Sequence, residues 1–247
     1  MNMEPVYLSV VVPSYKSAEI LQKNLPVLLG YLAQQPYTYE VLVVDDGSDD
    51  HGATAAACSE LNCIFLQNER NMGKGAAVRN GMKNARGRFR IFTDADIPYE
   101  LDTISFILKF LDDKEFDIVL GDRNLKDSAY FLEIPRLRRI TSAFFTYFVG
   151  TIVTTNYFDT QCGIKGFRDA TADFLFQHAR IDGFAFDVEL IYIALKQNLE
   201  IKRIPVRLRN QEKSTVRVLR HGMVMFFDLF KIKYNNMKGY YRAGQNG

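Results

Sequence analysis

Short apolar runs rich in β-branched residues alternate with helix-length segments along the first 120 residues, and this alternation constrains the fold most strongly. The predicted strands are residues 8–12, 39–44, 63–66, 89–93 and 116–120. Runs that are apolar throughout are typical of strands buried on both faces of a parallel sheet. Because helices are predicted between the strands, the sequence predicts an α/β fold of three α/β/α layers with a mostly parallel, nucleotide-binding sheet.

The C-terminal part of the chain differs in charge from the rest. Residues 200–247 contain 11 Lys and Arg against 3 Asp and Glu, a net charge of +8, so the first 199 residues carry −6 of the overall +2. No linker or repeat is evident, and we predict one domain over residues 1–215 followed by a basic amphipathic helix and tail over residues 216–247. A basic tail indicates an anionic partner, either nucleic acid or a membrane surface.

Two segments favour the membrane surface. Residues 140–158 are 19 residues without a charge, but they contain several Thr, Ser and Asn, so we expect an amphipathic helix lying against lipid rather than a span. Residues 223–233 mix aromatic residues with lysines, which fits either an interfacial helix or a helix packed on the core. The N-terminus does not resemble a signal peptide. We therefore expect a cytoplasmic protein, peripheral on the cytoplasmic face of a membrane.

The cysteines exclude two other kinds of protein. Cys58, Cys63 and Cys162 are an odd number and form no Cys-x-x-Cys pair. This pattern argues against both a disulfide framework and a zinc site.

The triplet Asp94-Ala95-Asp96 directly follows the predicted strand 89–93. Ligands of open α/β sheets bind at the carboxyl ends of the strands. Mg²⁺ and Mn²⁺ prefer oxygen ligands, and Mg²⁺ typically binds one or two carboxylates together with substrate phosphates. Asp94 and Asp96 are therefore candidate metal ligands at a nucleotide-diphosphate site.

Two further motifs follow predicted strands. The segment Asp45-Asp46-Gly47-Ser48 ends the second strand, where a carboxylate could accept from a nucleobase or a ribose, or merely form a turn. Residues 71–75, Asn-Met-Gly-Lys-Gly, supply glycines for close backbone approach and Lys74 at a helix start, both suited to a diphosphate. Neither a Walker A loop nor a dinucleotide-binding fingerprint is present.

Taken in order, six motifs resemble those of the family 2 glycosyltransferases of GT-A fold. They are residues 11–15, 45–48, 71–79, 94–96, 159–165 and 184–190. The last two are similar to the branch that glycosylates polyprenyl phosphates, which includes dolichyl-phosphate mannose and glucose synthases, and the glucose type is more similar. The resemblance covers residues 8–214.

That resemblance implies a role for each matched residue. It implies that Pro13, Tyr15 and Asp46 hold the nucleoside, that Asp94 and Asp96 hold the metal and the diphosphate, and that Ala95 between them belongs to the nucleotide-sugar site. Asp159 would lie near the acceptor phosphate, and Arg123, Arg138 and Arg209 would bind phosphates. Asp187 and Glu189 belong either to the site or only to the capping of a helix over residues 188–196.

The chain departs from the family at two places. Family members usually read Pro-x-Tyr-Asn-Glu, whereas Lys16 and Ser17 follow Tyr15 here and only Glu19 could replace the missing carboxylate. After Arg209 the family tends to have Ser-Lys, whereas this chain has Ser214-Thr215.

The implied reaction is inverting, Mg²⁺- or Mn²⁺-dependent transfer of a hexose from UDP-glucose or GDP-mannose to a polyprenyl phosphate. Asp96, Asp159 and the three arginines would be its catalytic residues. One alternative is a family 2 enzyme acting on a sugar or polysaccharide hydroxyl, which needs a true general base. Another is an inactive sugar-nucleotide-binding subunit that recruits an integral-membrane partner. A nucleic-acid-binding protein would explain the basic tail but not the carboxylates at the strand ends.

Overall fold

A computed structural model describes residues 5–129, 150, 159–209 and 218–242, with side chains described from residue 223 in the last segment. The strands are β1 (Leu8–Ser14), β2 (Tyr39–Asp45), β3 (Ile64–Gln67), β4 (Phe89–Thr93), β5 (Ile118–Asp122), β6 (Ile164–Arg168) and β7 (Ile201–Pro205). The helices are α1 (Ala18–Leu32), α2 (Ala53–Glu60), α3 (Lys74–Asn84), α4 (Asp102–Asp112), α5 (Asp169–His178), α6 (Phe186–Lys196) and α7 (Val218–Met237).

The described strands form one sheet in the order β3-β2-β1-β4-β6-β5-β7. Strand β6 is antiparallel to both β4 and β5, and the other neighbours are parallel. The mostly parallel α/β fold predicted from the sequence is confirmed. Strands β1, β2 and β4 are parallel neighbours, so their carboxyl ends open onto the same edge of the sheet.

Apolar residues cover both faces of the sheet, which explains why the central strands are mostly apolar. In β1, Val11 packs into the cluster that contains α3, α5 and α6, whereas Val10 and Val12 pack into the cluster that contains α1 and α4. All three valines are fully buried. Successive strand residues point to opposite faces, so a strand covered on both sides favours apolar residues at successive positions.

Two elements were not predicted, β6 and α5. Strand β6 contains Lys165 and Gly166, which interrupt an apolar pattern, although Lys165 is fully buried. The start of α1 also differs from expectation. Ser17 occupies the N-cap position, but its hydroxyl donates to the carbonyl oxygen of Tyr15 at 2.9 Å and does not cap the helix.

Helix α7 packs against the domain rather than standing apart from it. Leu229 and Ile232 are fully buried in the same core cluster as α6. The predicted boundary at residues 215 and 216 lies outside the described residues. No helix in the described part of the chain has both the length and the apolarity needed to cross a membrane.

Candidate active site

Asp94 and Asp96 lie just past the carboxyl end of β4, at the edge where β1 and β2 also end. Both residues are half-buried, and the side chain of Asp94 is 33% exposed. A tight turn follows, in which the N–H of Ile97 donates to the carbonyl oxygen of Asp94 at 2.9 Å. Ile97 has a φ of +43° and a buried side chain. The buried isoleucine anchors the turn that carries the two carboxylates.

Arg209 fastens the same turn from a distant part of the sequence. Its backbone N–H donates to the carbonyl oxygen of Pro98 at 2.7 Å. Its guanidinium donates to the carbonyl oxygen of Ile97 at 3.3 and 3.4 Å, and to Oδ1 of Asn24 at 3.1 Å. These contacts place Arg209 against the loop that follows Asp96. Its role as a phosphate binder stays a prediction.

Lys74, the first residue of α3, reaches the aspartate turn. Its Nζ lies 2.5 Å from Oδ1 of Asp94 and 6.0 Å from the ring centre of Phe186. Burial alone would lower the pKa of Lys74, but Asp94 and Asp187 outweigh it and raise that pKa above its ordinary value. Lys74 therefore stays protonated and places a cation at the start of a helix, where an anionic diphosphate is favoured.

Gly163 makes room for the carboxylate of Asp94. A Cβ atom at position 163 would lie 2.1 Å from Oδ2 of Asp94, so any other residue there would displace the carboxylate. Gly163 directly precedes β6, the antiparallel neighbour of β4. The close approach of these two strands thus fixes where the Asp94 carboxylate lies.

A buried ion pair lies beside the aspartate turn. Lys165 of β6 and Asp187 of α6 are both buried, and Nζ of Lys165 is 2.6 Å from Oδ1 of Asp187. The same ammonium donates to the carbonyl oxygen of Cys162 at 2.7 Å and lies 5.2 Å from the ring centre of Phe92. The N-cap of α6 is Ala185, which has no side-chain capping bond, and Asp187 in the first turn pairs with Lys165. The role of Asp187 in the site stays a prediction.

Sequence reasoning did not identify Lys165 as part of the site or Gly163 as a spacing requirement. A lysine next to a glycine inside an apolar run was the available signal, because a lysine there must find a buried partner.

Arg123 and Asp159 hold each other in a forked ion pair. The Nε of Arg123 lies 2.9 Å from Oδ2 of Asp159, its Nη2 lies 2.6 Å from Oδ1, and its backbone N–H also donates to Oδ2 at 2.7 Å. Burial would raise the pKa of Asp159, but these bonds outweigh burial and hold that pKa below its ordinary value. Asp159 is therefore an ionised group that orients Arg123, and the phosphate-binding roles of both residues stay predictions.

Asp46 shapes the loop that leads into α3. Its Oδ2 accepts from the N–H of Gly73 at 2.7 Å, and its Oδ1 accepts from the N–H of Met72 at 3.1 Å and from the side chain of Asn68 at 2.8 Å. Asp46 is buried, with 3% of the residue exposed, and these three hydrogen bonds hold its carboxylate against the loop. Its predicted contact with a nucleoside is untested.

Gly73 and Gly75, at the start of α3, allow a close contact within the protein. A Cβ at Gly73 would lie 2.5 Å from the carbonyl oxygen of Asp182, and a Cβ at Gly75 would lie 2.6 Å from that of Ile181. Gly73 also has a φ of +111°, which favours glycine. These glycines let the segment before α6 approach the start of α3, and their suitability for a diphosphate stays a prediction.

The predicted nucleoside-binding residues lie at the end of β1. Pro13 is buried within the strand, whereas Tyr15 just beyond it is 43% exposed. The ammonium of Lys16 lies 5.6 Å from the ring centre of Tyr15. Tyr15 thus presents a partly exposed ring at the carboxyl ends of the strands, where a nucleobase could stack on it. Ala95, between the two aspartates, is half-buried against the α1 and α4 cluster.

Arg138 lies outside the described residues, as does the segment 140–158 apart from Gly150. The predictions made for Arg138 and for that segment are therefore untested.

The aspartate turn fits a divalent cation. Asp94 and Asp96 offer hard oxygen ligands on a partly exposed turn, beside a lysine that already pairs with one of them. Within the described ranges, no group of three or more His, Cys, Asp or Glu side chains is arranged to hold a metal. A cation at this turn would therefore be completed by substrate phosphate and water, as is usual for Mg²⁺.

Similar folds occur in solved glycosyltransferase structures. The mannosyl-3-phosphoglycerate synthase of Rubrobacter xylanophilus superimposes with a TM-score of 0.69 at 17% identity, covering 98% of this chain and 77% of that one. The glucosyl-3-phosphoglycerate synthase of Mycobacterium tuberculosis, in complex with Mn²⁺, UDP-glucose and phosphoglyceric acid, has a TM-score of 0.68 at 13% identity, covering 92% and 79%. The fold is thus the GT-A fold of glycosyltransferases, as predicted.

Sequence comparison gives the family. Residues 9–176 match the model of glycosyl transferase family 2, and the chain belongs to this family. It is 33% identical to the dolichyl-phosphate beta-glucosyltransferase of Drosophila melanogaster, over 95% of this chain and 77% of that protein. It is 31% identical to the protein of the same name from Homo sapiens, over 96% and 78%. The predicted glycosyltransferase assignment is confirmed.

Proposed function

We propose that this glycosyltransferase moves a hexose, glucose in preference to mannose, from a nucleotide sugar to a polyprenyl phosphate with inversion at the anomeric carbon. One observation supports the use of a nucleotide-sugar donor: Asp94, Asp96 and the Lys74 ammonium meet at the carboxyl ends of the strands. The choice of a polyprenyl phosphate as acceptor is supported by relatives named dolichyl-phosphate beta-glucosyltransferase that match most of the chain.

The donor's diphosphate carries the charge that must be balanced as it leaves. Asp94 and Asp96 would hold Mg²⁺ or Mn²⁺, which supplies Lewis-acid stabilisation of the leaving group. Lys74 pairs with Asp94 at 2.5 Å and stays protonated, so it can contact a phosphate oxygen when the turn takes up its substrate. Tyr15 would offer its exposed ring to the nucleobase.

The acceptor needs little help to become a nucleophile. A phosphate monoester has a second pKa of about 6, so it is largely dianionic at neutral pH. The main task is then to position an anion near another anion, which suits arginine. Arg123 is oriented by the ionised Asp159, which supports a positioning role for this pair rather than proton transfer to Asp159. Arg138 and Arg209 would supply further phosphate contacts.

A lipid-linked acceptor would place the enzyme at a membrane. We propose a peripheral location on the cytoplasmic face, where the enzyme would meet an integral-membrane partner, and no nucleic acid as ligand. The excess of 11 Lys and Arg over 3 Asp and Glu in residues 200–247 supports contact with an anionic surface.

The acceptor is tested by offering purified protein UDP-glucose or GDP-mannose with either a polyprenyl phosphate or the matching polyprenol. The expected product is polyprenyl-phosphate glucose, formed with Mg²⁺ or Mn²⁺ and lost with a chelator. Equal glycosylation of the polyprenol would contradict a phosphate acceptor and favour a hydroxyl acceptor. No transfer to any acceptor, with nucleotide-sugar binding retained, would favour a binding subunit.

The metal assignment is tested with Asp96→Ala. Because this residue lies on a half-buried turn and not in the core, the variant should fold normally and lose transfer by at least about a hundredfold. Asp113→Ala, an exposed aspartate at the end of α4, is the matched control and should keep wild-type turnover. Wild-type turnover of the Asp96→Ala variant in the presence of a chelator would show that the assignment is wrong.

A further inference from the structure

Helix α7 exposes a continuous row of large apolar side chains, which we call the apolar stripe. Its members are Met223 (67% exposed), Phe227 (66%), Phe230 (51%), Tyr234 (55%) and Met237 (80%). They are spaced by four, three, four and three residues, which places all five on one face of the helix. Exposed apolar patches of this extent mark interaction sites.

The opposite face of α7 fixes the direction in which the stripe points. Leu229 and Ile232 are fully buried in the core cluster that includes α6. Asn235, also buried, donates to the hydroxyl oxygen of Tyr241 at 3.2 Å. Since these residues hold α7 by its inner face, the stripe points away from the domain.

Cations border the stripe. Lys231 and Lys238 are exposed on one side, and Lys233 on the other side lies 4.9 Å from the ring centre of Tyr192. Asp228 is the one acidic residue in the sequence of α7, and it is half-buried close to Gly183, on the side turned toward the domain. An apolar row bordered by lysines is complementary to an anionic bilayer surface and typical of helices that lie in its plane.

We infer that the apolar stripe inserts into the head-group region of an anionic membrane, with α7 parallel to the surface. The inference deepens the proposed function, on which it rests for a lipid-borne acceptor. The inner face of α7 also touches the site region, because Sδ of Met225 lies 3.9 Å from the side-chain nitrogen of Gln161, two residues after Asp159. Docking through the stripe would therefore hold the Asp159 end of the site near the head groups.

The test measures binding of the full chain to vesicles of phosphatidylcholine with and without phosphatidylglycerol, by flotation. Phe227→Ser with Phe230→Ser removes two exposed rings without touching the core, and we expect binding to anionic vesicles to weaken by about tenfold or more. Val27→Ser with Phe106→Ser, at exposed apolar positions of α1 and α4, is the matched control and should bind like the wild type. Lys231→Gln with Lys238→Gln should remove most of the preference for anionic vesicles.

A second readout separates this inference from the proposed function. With a water-soluble short-chain polyprenyl phosphate, the stripe variant should turn over at the wild-type rate, whereas with acceptor embedded in vesicles it should be slower. Wild-type vesicle binding by the stripe variant would overturn the inference even if transfer occurs. So would a change from dimer to monomer in sedimentation with vesicle binding unchanged, since the stripe would then join two copies of the chain. Stripe-dependent binding without any lipid-phosphate transfer would overturn the proposed function alone.

Discussion

The buried pair of Lys165 and Asp187 affects the electrostatics of the candidate site. Removing two charges from water costs several kcal/mol per ion, and their attraction repays this only with good geometry and further hydrogen bonds. Lys165 has the 2.6 Å contact with Asp187 and a further bond to the carbonyl oxygen of Cys162, but on the side of Asp187 burial outweighs the nearby lysines and raises the pKa of its carboxyl above the ordinary value. Since Asp187 also contributes to the raised pKa of Lys74, the buried pair extends its electrostatic effect to the aspartate turn.

At the residue scale, we expect Gly163→Ala to lower transfer by about a hundredfold while the fold survives. The new methyl group would lie 2.1 Å from Oδ2 of Asp94, so the carboxylate must move away from its place. A displacement of about 1 Å at a reacting centre can cost about a hundredfold in rate. The measurement is steady-state transfer together with the circular dichroism spectrum.

Gly30→Ala provides the control for that substitution. Gly30 is exposed within α1, and a Cβ there would meet no atom within 4 Å. Alanine should raise the free energy of unfolding by about 0.5–1 kcal/mol and leave transfer unchanged. Loss of activity in Gly30→Ala, or full activity in Gly163→Ala, would contradict the spacing argument.

The sequence could reveal the aspartates but not what surrounds them. Asp94 and Asp96 form a local motif after a strand, so their place at the sheet edge was predictable. The contact of Asp94 with Gly163, and that of Lys165 with Asp187, join residues far apart in sequence. Such contacts depend on which strands become neighbours, and local periodicity does not carry that information.

At the scale of elements, Glu40 ties the start of β2 to the strands and loop beside it. Its Oε1 accepts from the hydroxyl of Ser9 at 2.6 Å and from the N–H of Arg86 at 2.7 Å, and the Arg86 guanidinium donates to Oε2 at 2.8 and 3.0 Å. Burial alone would raise the pKa of Glu40, but these bonds outweigh it and hold the pKa below its ordinary value.

Glu40→Gln should therefore destabilise the protein by about 2 kcal/mol at pH 7. A carboxyl group with a depressed pKa stabilises the folded state above its unfolded-state pKa, and this contribution is lost as the pH falls through the folded-state pKa. The difference in free energy of unfolding between the wild type and Glu40→Gln should thus shrink below about pH 4. Urea denaturation at several pH values measures it.

The matched control is Glu60→Gln, at an exposed position at the end of α2. It should change the free energy of unfolding by less than about 0.5 kcal/mol at any of these pH values. A constant difference between wild type and Glu40→Gln across the titration would contradict the role given to the Glu40 carboxylate.

Some elements were predictable because their burial is uniform. The prediction for β4 at residues 89–93 matches the structure, since all five of its residues are buried and the run has clear ends. Strand β6 escaped prediction because the burial of Lys165 depends on Asp187 and Phe92, which belong to other elements. Helix α7 fits both of the alternatives left open for residues 223–233, since one face packs on the core and the other is exposed.

At the scale of the whole molecule, Tyr241 links the C-terminal segment to helix α6. Its hydroxyl donates to Oε1 of buried Glu189 at 2.5 Å. Glu189 also accepts from the N–H groups of Arg180 and Ile181, in the segment that contacts the glycines at the start of α3. We expect Tyr241→Phe to lower the free energy of unfolding by about 1–3 kcal/mol, because a buried carboxylate loses a donor.

Tyr240→Phe is the control, since Tyr240 is 42% exposed and the contact of its ring with Arg180, 4.3 Å away, does not need the hydroxyl. Thermal unfolding of both variants and of the wild type is the measurement. Equal melting temperatures for Tyr241→Phe and the wild type would show that the bond to Glu189 contributes nothing to stability.

Strand β6 gives the chain a particular order of assembly. In the sheet it separates β3-β2-β1-β4 from β5-β7, and it joins both groups by antiparallel pairing. During synthesis β1 to β5 leave the ribosome first. Strand β4 can pair with β1, but β4 and β5 do not pair with each other, so their connection through the sheet must wait for residues 164–168. Non-local pairing of this kind slows folding and prolongs the time in which strand edges stay exposed. Gly163 and Lys165 arrive with β6, so a nascent chain that has made the aspartate turn still lacks the neighbours that set its geometry.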